Sequence, residues 1–334
     1  MIKTTNELIE YLDQKGIRLD YTIISTFTHT ILKCGTKADA DILLDYFVSR
    51  PTEFYSYYFL DIFEKWGDLD YADKIYRTHF KDGKLINLDY PEILELLGNL
   101  RFEPIKPTLI HYGFNDDKGY YVNKSAILGL LNFNCSDIEK RIIKQIEETI
   151  NQSQFSEFIP GLVCKVPNRT QLLKQLFTTG TEHCSSSFNS GIILGLSLCG
   201  KEGVKYFWNV IFNDFWEANG RGTGNSNFVY KGIINLNISL TDIYSKTRQN
   251  KNKLEQENGL KVLLALIEIR IRDEYSNSTL ESFSEIYINL YAWENENKSN
   301  NITDLARGYE LEEETYKLEG LLKLKMQEEL IISL

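Results

Sequence analysis

Short amphipathic helices account for most of the hydrophobic pattern along this chain. Apolar residues recur at three- and four-residue intervals from Tyr21 to Cys34 and from Ala38 to Val48, which is the spacing of one buried helix face. Similar patterns predict helices at 53–66, 71–80, 91–100, 120–133, 138–150, 156–164 and 169–177. No run favours a strand, and no proline follows Pro167. The pattern therefore predicts a nearly all-helical fold.

The ends of the predicted helices recur at a regular interval. Apolar helices run into Gly35, Gly67, Gly98 and Asn132, about 31–34 residues apart, and less clear ends near 164 and 200 continue the series. This period predicts about six stacked units, each with one helix before the stop and one after it. A single pair cannot bury both of its apolar faces, so neighbouring pairs must stack.

The segment 121–146 has Val122, Ala126 and 128–131 on its first predicted helix and Ile138, Ile142 and Ile146 on its second. In these positions it resembles a short repeat of the HEAT-like (armadillo-type) superfamily. The turns at 66–68 and 97–99 fit the same pattern, and the resemblance covers roughly 20–218, with large aromatics where the family has small residues. It implies a right-handed α-solenoid. Such repeats occur in scaffolds, inhibitors, chromophore lyases and a few DNA-alkylation repair enzymes, so the resemblance leaves function open.

The period fails beyond Trp216, where a polar, glycine-rich loop spans 220–227. Longer helical patterns follow at 228–244, 254–275, 280–294 and 311–332. We therefore predict a helical repeat array at 1–219 and a C-terminal helical capping subdomain at 220–334, which would shield the apolar face of the last repeat.

The composition and net charge of the chain indicate which partners and which cellular compartment to expect. The 334 residues are 43% hydrophobic and carry 37 basic against 47 acidic side chains, for a net charge of −10. A duplex-binding surface needs a concentrated positive footprint, so we expect no nucleic acid partner. No window reaches the roughly 20 apolar residues of a membrane span, which predicts a soluble, cytoplasmic protein without a membrane partner. The five cysteines form no Cys-x-x-Cys pair, so we expect buried thiols and no metal or cofactor.

Catalytic and ligand-binding motifs are weak. His183 and Cys184 are adjacent, but side chains at i and i+1 diverge on a helix, and the cluster is more typical of a helix N-cap. The glycine-rich loop could present Arg221 and backbone N–H groups to an anion, yet it lacks the Gly-Lys-Ser/Thr ending of a P-loop. His29, His79 and His111 have no metal-motif spacing in the sequence, which favours structural roles.

Clustered aromatic residues are the more specific signal. The chain has 20 Tyr, 18 Phe and 4 Trp, and dense groups of them lie at 54–59, 120–121 and 206–216. Consecutive aromatics cannot all face the core, and exposed tyrosines are favoured anchors in protein interfaces. The candidate binding residues are Tyr55, Tyr57, Tyr58, Tyr120 and Tyr121, together with Arg221. Trp66 is expected to be buried at its inter-helix turn, where truncation to alanine would cost roughly 3–5 kcal/mol.

Two functions remain open. The first is a protein–protein interaction module, such as an inhibitor, immunity factor or adaptor, that binds a partner of basic character on a concave acidic and aromatic surface. The alternative is an enzyme or small-ligand binding protein with a pocket between the repeat array and the C-terminal helices. The acidic balance disfavours a DNA-repair enzyme.

Overall fold

A computed structural model describes residues 2–14, 19–51, 54–115, 119–152, 158–182, 186–218 and 225–273. Apart from one hairpin of two-residue strands, the regular structure of these residues is helical, which confirms the all-α prediction. The chain divides between Val166 and Pro167 into two compact units. The predicted boundary near Gly220 and the predicted helices at 280–294 and 311–332 lie outside the described residues.

The first unit contains nine α-helices among its described residues. They are α1 (Lys3–Leu12), α2 (Tyr21–Cys34), α3 (Lys37–Ser49), α4 (Leu60–Trp66), α5 (Leu69–His79), α6 (Glu92–Asn99), α7 (Lys106–Gly113), α8 (Tyr120–Leu130) and α9 (Glu139–Gln152). Short 3₁₀ segments lie at Phe54–Phe59, Glu103–Ile105, Ser136–Ile138 and Ile159–Lys165. The predicted continuous helix 53–66 is thus a 3₁₀ turn followed by the shorter α4.

A hairpin follows α5, in which β1 (Phe80–Lys81) pairs antiparallel with β2 (Lys84–Leu85). Its turn is Asp82-Gly83, with φ of 50° and 71°. Positive φ at both central residues defines a type I′ turn, for which Asp-Gly is a preferred sequence. The Asp-Gly dipeptide is therefore a local sequence signal for the hairpin, although the surrounding pattern predicts only helices.

Alternate helices of the first unit pack on one another. Helix α4 contacts α2 and α6, α6 contacts α8, and α3 contacts both α4 and α5. Helices α6 and α8 approach each other closely, since a Cβ at Gly98 would lie 2.3 Å from the Cα of Gly129. Gly98 lies in the last turn of α6 and does not have positive φ. The small size of Gly98 permits the contact between α6 and α8. Helix α6 ends one residue later, at Asn99.

Polar contacts link positions about one helix pair apart in sequence. Three ion pairs join Lys37 to Asp68, Lys106 to Asp137 and, in the second unit, Arg169 to Glu202, with N–O distances of 3.0, 2.8 and 3.0 Å. At helix ends, Lys65 donates to the carbonyl of Leu32, and Asn132 donates to Asn99, both across 33 residues. Each contact joins residues 31 or 33 positions apart in sequence. The right-handed solenoid of HEAT-like pairs stays a prediction.

Asp39 accepts hydrogen bonds that join α3 to the start of α1 and others that cap α3 itself. Its Oδ1 accepts from the N–H of Ile2 and the hydroxyl of Thr5, and its Oδ2 accepts from the N–H and hydroxyl of Thr36. The residue is fully buried. Burial alone would raise the pKa of this carboxyl, but the hydrogen bonds outweigh that effect and lower the pKa to about 2.

Aromatic rings fill much of the core of the first unit. Phe47, Phe59 and Phe63 are almost completely buried, and Phe63 meets both of the others edge to face. Trp66 is only partly buried, with the ammonium of Lys65 4.2 Å from its ring centroid. The large cost expected for truncating Trp66 therefore does not apply.

The second unit contains six α-helices among its described residues. They are α10 (Thr170–Glu182), α11 (Ser186–Leu198), α12 (Lys201–Phe212), α13 (Asn225–Asn235), α14 (Leu240–Gln249) and α15 (Lys253–Asp273), with a 3₁₀ segment at Asp214–Trp216. Helix α11 packs against α10, α12 and α13, and α15 packs against α12, α13 and α14. The predicted helix 228–244 is divided in two, with Asn237 at φ 53° between the halves.

Trp216 anchors the second unit. Its side chain is fully buried, and its indole N–H donates to Asn209 at 3.0 Å. Phe177 stacks on it at 5.6 Å, and Gly180 lies so close that a Cβ there would be 2.6 Å from the indole ring. A glycine on α10 therefore allows the indole to fit against the helix.

Candidate binding groove

A groove of about 260 Å³ lies in the first unit between α2, the 3₁₀ segment Phe54–Phe59, α4 and the start of α6. Tyr57 and Tyr58, two of the predicted binding residues, line it. They are joined by His29 from α2, Asp61 from α4 and Glu92 from α6. We call this recess the tyrosine groove. Apolar side chains, including that of Leu32, contribute to its lining.

The local sequence explains why these tyrosines lie in the lining. Phe59 and Leu60 follow directly and are both buried, so they hold the 3₁₀ segment against the core. Tyr57 and Tyr58 are half-buried, with their ring centroids 4.3 Å apart. Tyr21, at the start of α2, stacks on Tyr58 at 6.2 Å. The rings support one another, so a ligand would meet side chains that are already ordered.

The acidic residues of the tyrosine groove lie in the first turns of their helices, Asp61 on α4 and Glu92 on α6. Negative charge is favourable there because of the helix dipole. Burial raises the pKa of Tyr57, and the hydrogen bond with Tyr58 and the charge of Glu92 raise it further. The hydroxyl of Tyr57 therefore keeps its proton at neutral pH and serves as a hydrogen-bonding group.

The second predicted tyrosine pair lies elsewhere in the first unit, at the start of α8. Tyr120 and Tyr121 are 38% and 66% exposed, and their rings meet edge to face at 5.0 Å. Tyr120 also packs on Phe158 at 5.5 Å. Neither residue lines the tyrosine groove, so the structure places the two predicted pairs at separate positions.

The remaining sequence candidates do not form a catalytic or metal centre among the described residues. The Tyr55 side chain, Arg221, His183 and Cys184 lie outside the described part of the structure. His79 is buried beside Phe47, and no group of three His, Cys, Asp or Glu side chains could hold a metal ion in the described ranges. In that same part of the chain, no helix is long and apolar enough to cross a membrane.

Besides the tyrosines, the titratable residues of the groove are His29, Asp61 and Glu92, and the sequence did not predict them as binding residues. Asp61 follows Tyr57 at the helical i, i+4 spacing. His29 lies 28 residues before Tyr57, and Glu92 lies 34 residues after Tyr58. These separations are close to the predicted interval of 31–34 residues between helix ends, and that interval is the signal in the sequence that could have linked the positions.

Comparison with known proteins gives no relative: no protein-family model, curated protein or solved structure matches this chain.

Proposed function

We propose that this protein is a protein-interaction module, an inhibitor, immunity factor or adaptor built as a HEAT-like α-solenoid, and that its partner binds at the tyrosine groove. The observation that carries the proposal is the joining of Tyr57 and Tyr58 with Asp61 and Glu92 around one recess. Tyrosines offer a large contact area and a polar tip, which is why they are frequent binding hot spots.

The tyrosine side chains of the groove are already held in place, which supports a role in protein binding. Half-buried rings that contact one another lose little conformational entropy when a partner binds, so more of the contact energy appears as affinity. The exposed pair Tyr120 and Tyr121 would give a second contact on the same unit. The alternative, an enzyme or small-ligand protein, depends on Arg221 and the 183–184 pair, which lie outside the described residues.

A displayed peptide library tests the proposal. The library is panned on the wild-type protein, and each selected peptide is measured against the double variant Tyr57→Ser/Tyr58→Ser. Loss of two anchor rings should weaken binding at least about tenfold. The control Ile86→Ser removes a 63% exposed apolar side chain that does not line the groove, and binding should be unchanged.

Circular dichroism and a thermal melt establish that the double variant stays folded. A library that yields binders to the wild type, none of which depends on the two tyrosines, would contradict the assignment of this surface.

A further inference from the structure

We infer that the tyrosine groove receives the cationic side chain of a lysine or arginine in a basic segment of the partner protein. The inference rests on the proposed function and specifies the chemistry of the partner. It is drawn from two sites in the same unit where this chain already binds its own cations.

The first of these sites holds Arg50. Its guanidinium lies 4.3 Å from the ring centroid of Tyr46, and its Nη1 lies 2.5 Å from Oδ1 of Asp13. The hydroxyl of Tyr46 donates to the same carboxylate at 3.0 Å. A tyrosine face and a carboxylate together therefore hold one cation.

The second site holds Lys37. Its ammonium lies 4.2 Å from the ring centroid of Tyr71, 3.0 Å from Oδ2 of Asp68 and 3.7 Å from Oδ1 of Asp41. The hydroxyl of Tyr71 donates to Asp41. Here two carboxylates and one tyrosine ring surround the cation.

The tyrosine groove has the same components, with two tyrosine rings and the carboxylates of Asp61 and Glu92. No lysine or arginine is among the described residues that line it. The described ion pairs of the chain include neither of these carboxylates. The cation that completes the other two sites can come here from a partner.

The chemistry of the groove favours an organic cation on a protein. Ring faces attract weakly hydrated cations such as guanidinium, and the aliphatic stem of arginine or lysine can pack along apolar lining such as Leu32. The net charge of −10 would also increase the encounter rate of a basic segment. Arginine is the stronger candidate, since its planar group can stack on a tyrosine and bind a carboxylate together.

An isosteric substitution in the peptide tests the inference. Peptides whose binding requires Tyr57 and Tyr58 are synthesised with each arginine or lysine replaced singly by citrulline or norleucine, and affinities are measured by calorimetry. We expect one position in each peptide at which the neutral analogue binds about tenfold more weakly. That preference should weaken as salt is added.

The protein variant Asp61→Asn/Glu92→Gln locates the effect. It should reduce the preference for the cationic peptide to about twofold or less while the neutral peptide binds as before. The control Asp45→Asn changes a carboxylate whose side chain is 74% exposed on α3 and lies outside the groove, and it should retain the full preference.

The outcomes separate the two proposals. Groove-dependent peptides that bind equally well in cationic and neutral form overturn the cationic inference and leave the proposed function intact. Preference for the cation that survives Asp61→Asn/Glu92→Gln also overturns it. The absence of any groove-dependent peptide overturns both.

Discussion

Buried His79 should make the unfolding free energy depend on pH. It lies at the end of α5, only 4% exposed, with its ring centroid 4.6 Å from that of Phe47. Its Nε2 has no hydrogen-bond partner among the described residues. Burial lowers the pKa of His79 from 6.5 to about 4, because a charged imidazolium would lose its hydration there.

The direction in which the unfolding free energy changes with pH follows from which state binds a proton at His79. Between about pH 6.5 and pH 4, the unfolded chain binds a proton at His79 and the folded chain does not. Acid therefore favours the unfolded state across this range, and stability is lost as the pH falls. With those pKa values, linkage gives a loss of about 2 kcal/mol between pH 7 and pH 5 from this residue alone.

Urea unfolding of the wild type and His79→Phe at about pH 7, 6 and 5 measures this loss. Phenylalanine keeps an aromatic ring against Phe47 and cannot take up a proton. The difference in unfolding free energy between the two proteins should shift by about 2 kcal/mol in favour of the variant across this range, whatever their difference at neutral pH. If the unfolding free energies of the two proteins changed with pH in parallel, His79 would not be the source of the pH dependence.

Two further predictions concern packing in the first unit. Asp39→Asn should lower the unfolding free energy by about 2–4 kcal/mol in urea titrations, since an amide cannot accept all four hydrogen bonds, while Asp45→Asn should change it by less than about 0.5 kcal/mol. Gly98→Ala should cost about 1–3 kcal/mol because its methyl would meet the backbone of Gly129. Gly113→Ala, whose Cβ would lie 2.9 Å from Cδ1 at the flexible end of the Ile127 side chain, should cost less in the same urea titrations. Equal losses within either pair would contradict the packing described.

Local periodicity in the sequence was enough to locate many of the helices. The pattern identified α2, α3 and α5 within two residues at each end, because an amphipathic stripe and its terminating residues are local properties. It omitted α7, whose Pro107 stands in the first turn, where a missing N–H removes no helical hydrogen bond. The predicted end of α6 at Gly98 lies one residue before the observed end at Asn99. The glycine itself is needed for the close contact with α8, not for ending the helix.

The sequence by itself also determined that the aromatics at 54–59 could not all be core, since neighbouring side chains diverge. Only tertiary structure decided which entered the core and which did not: Phe59 packs inward, while Tyr57 and Tyr58 line a groove with His29 and Glu92. The physical reason is that hydrophobic periodicity determines which face of a helix is buried but not which other helix packs against that face. Contacts between α2, α4 and α6 depend on the packing of side chains about thirty residues apart, and that packing brings the groove together.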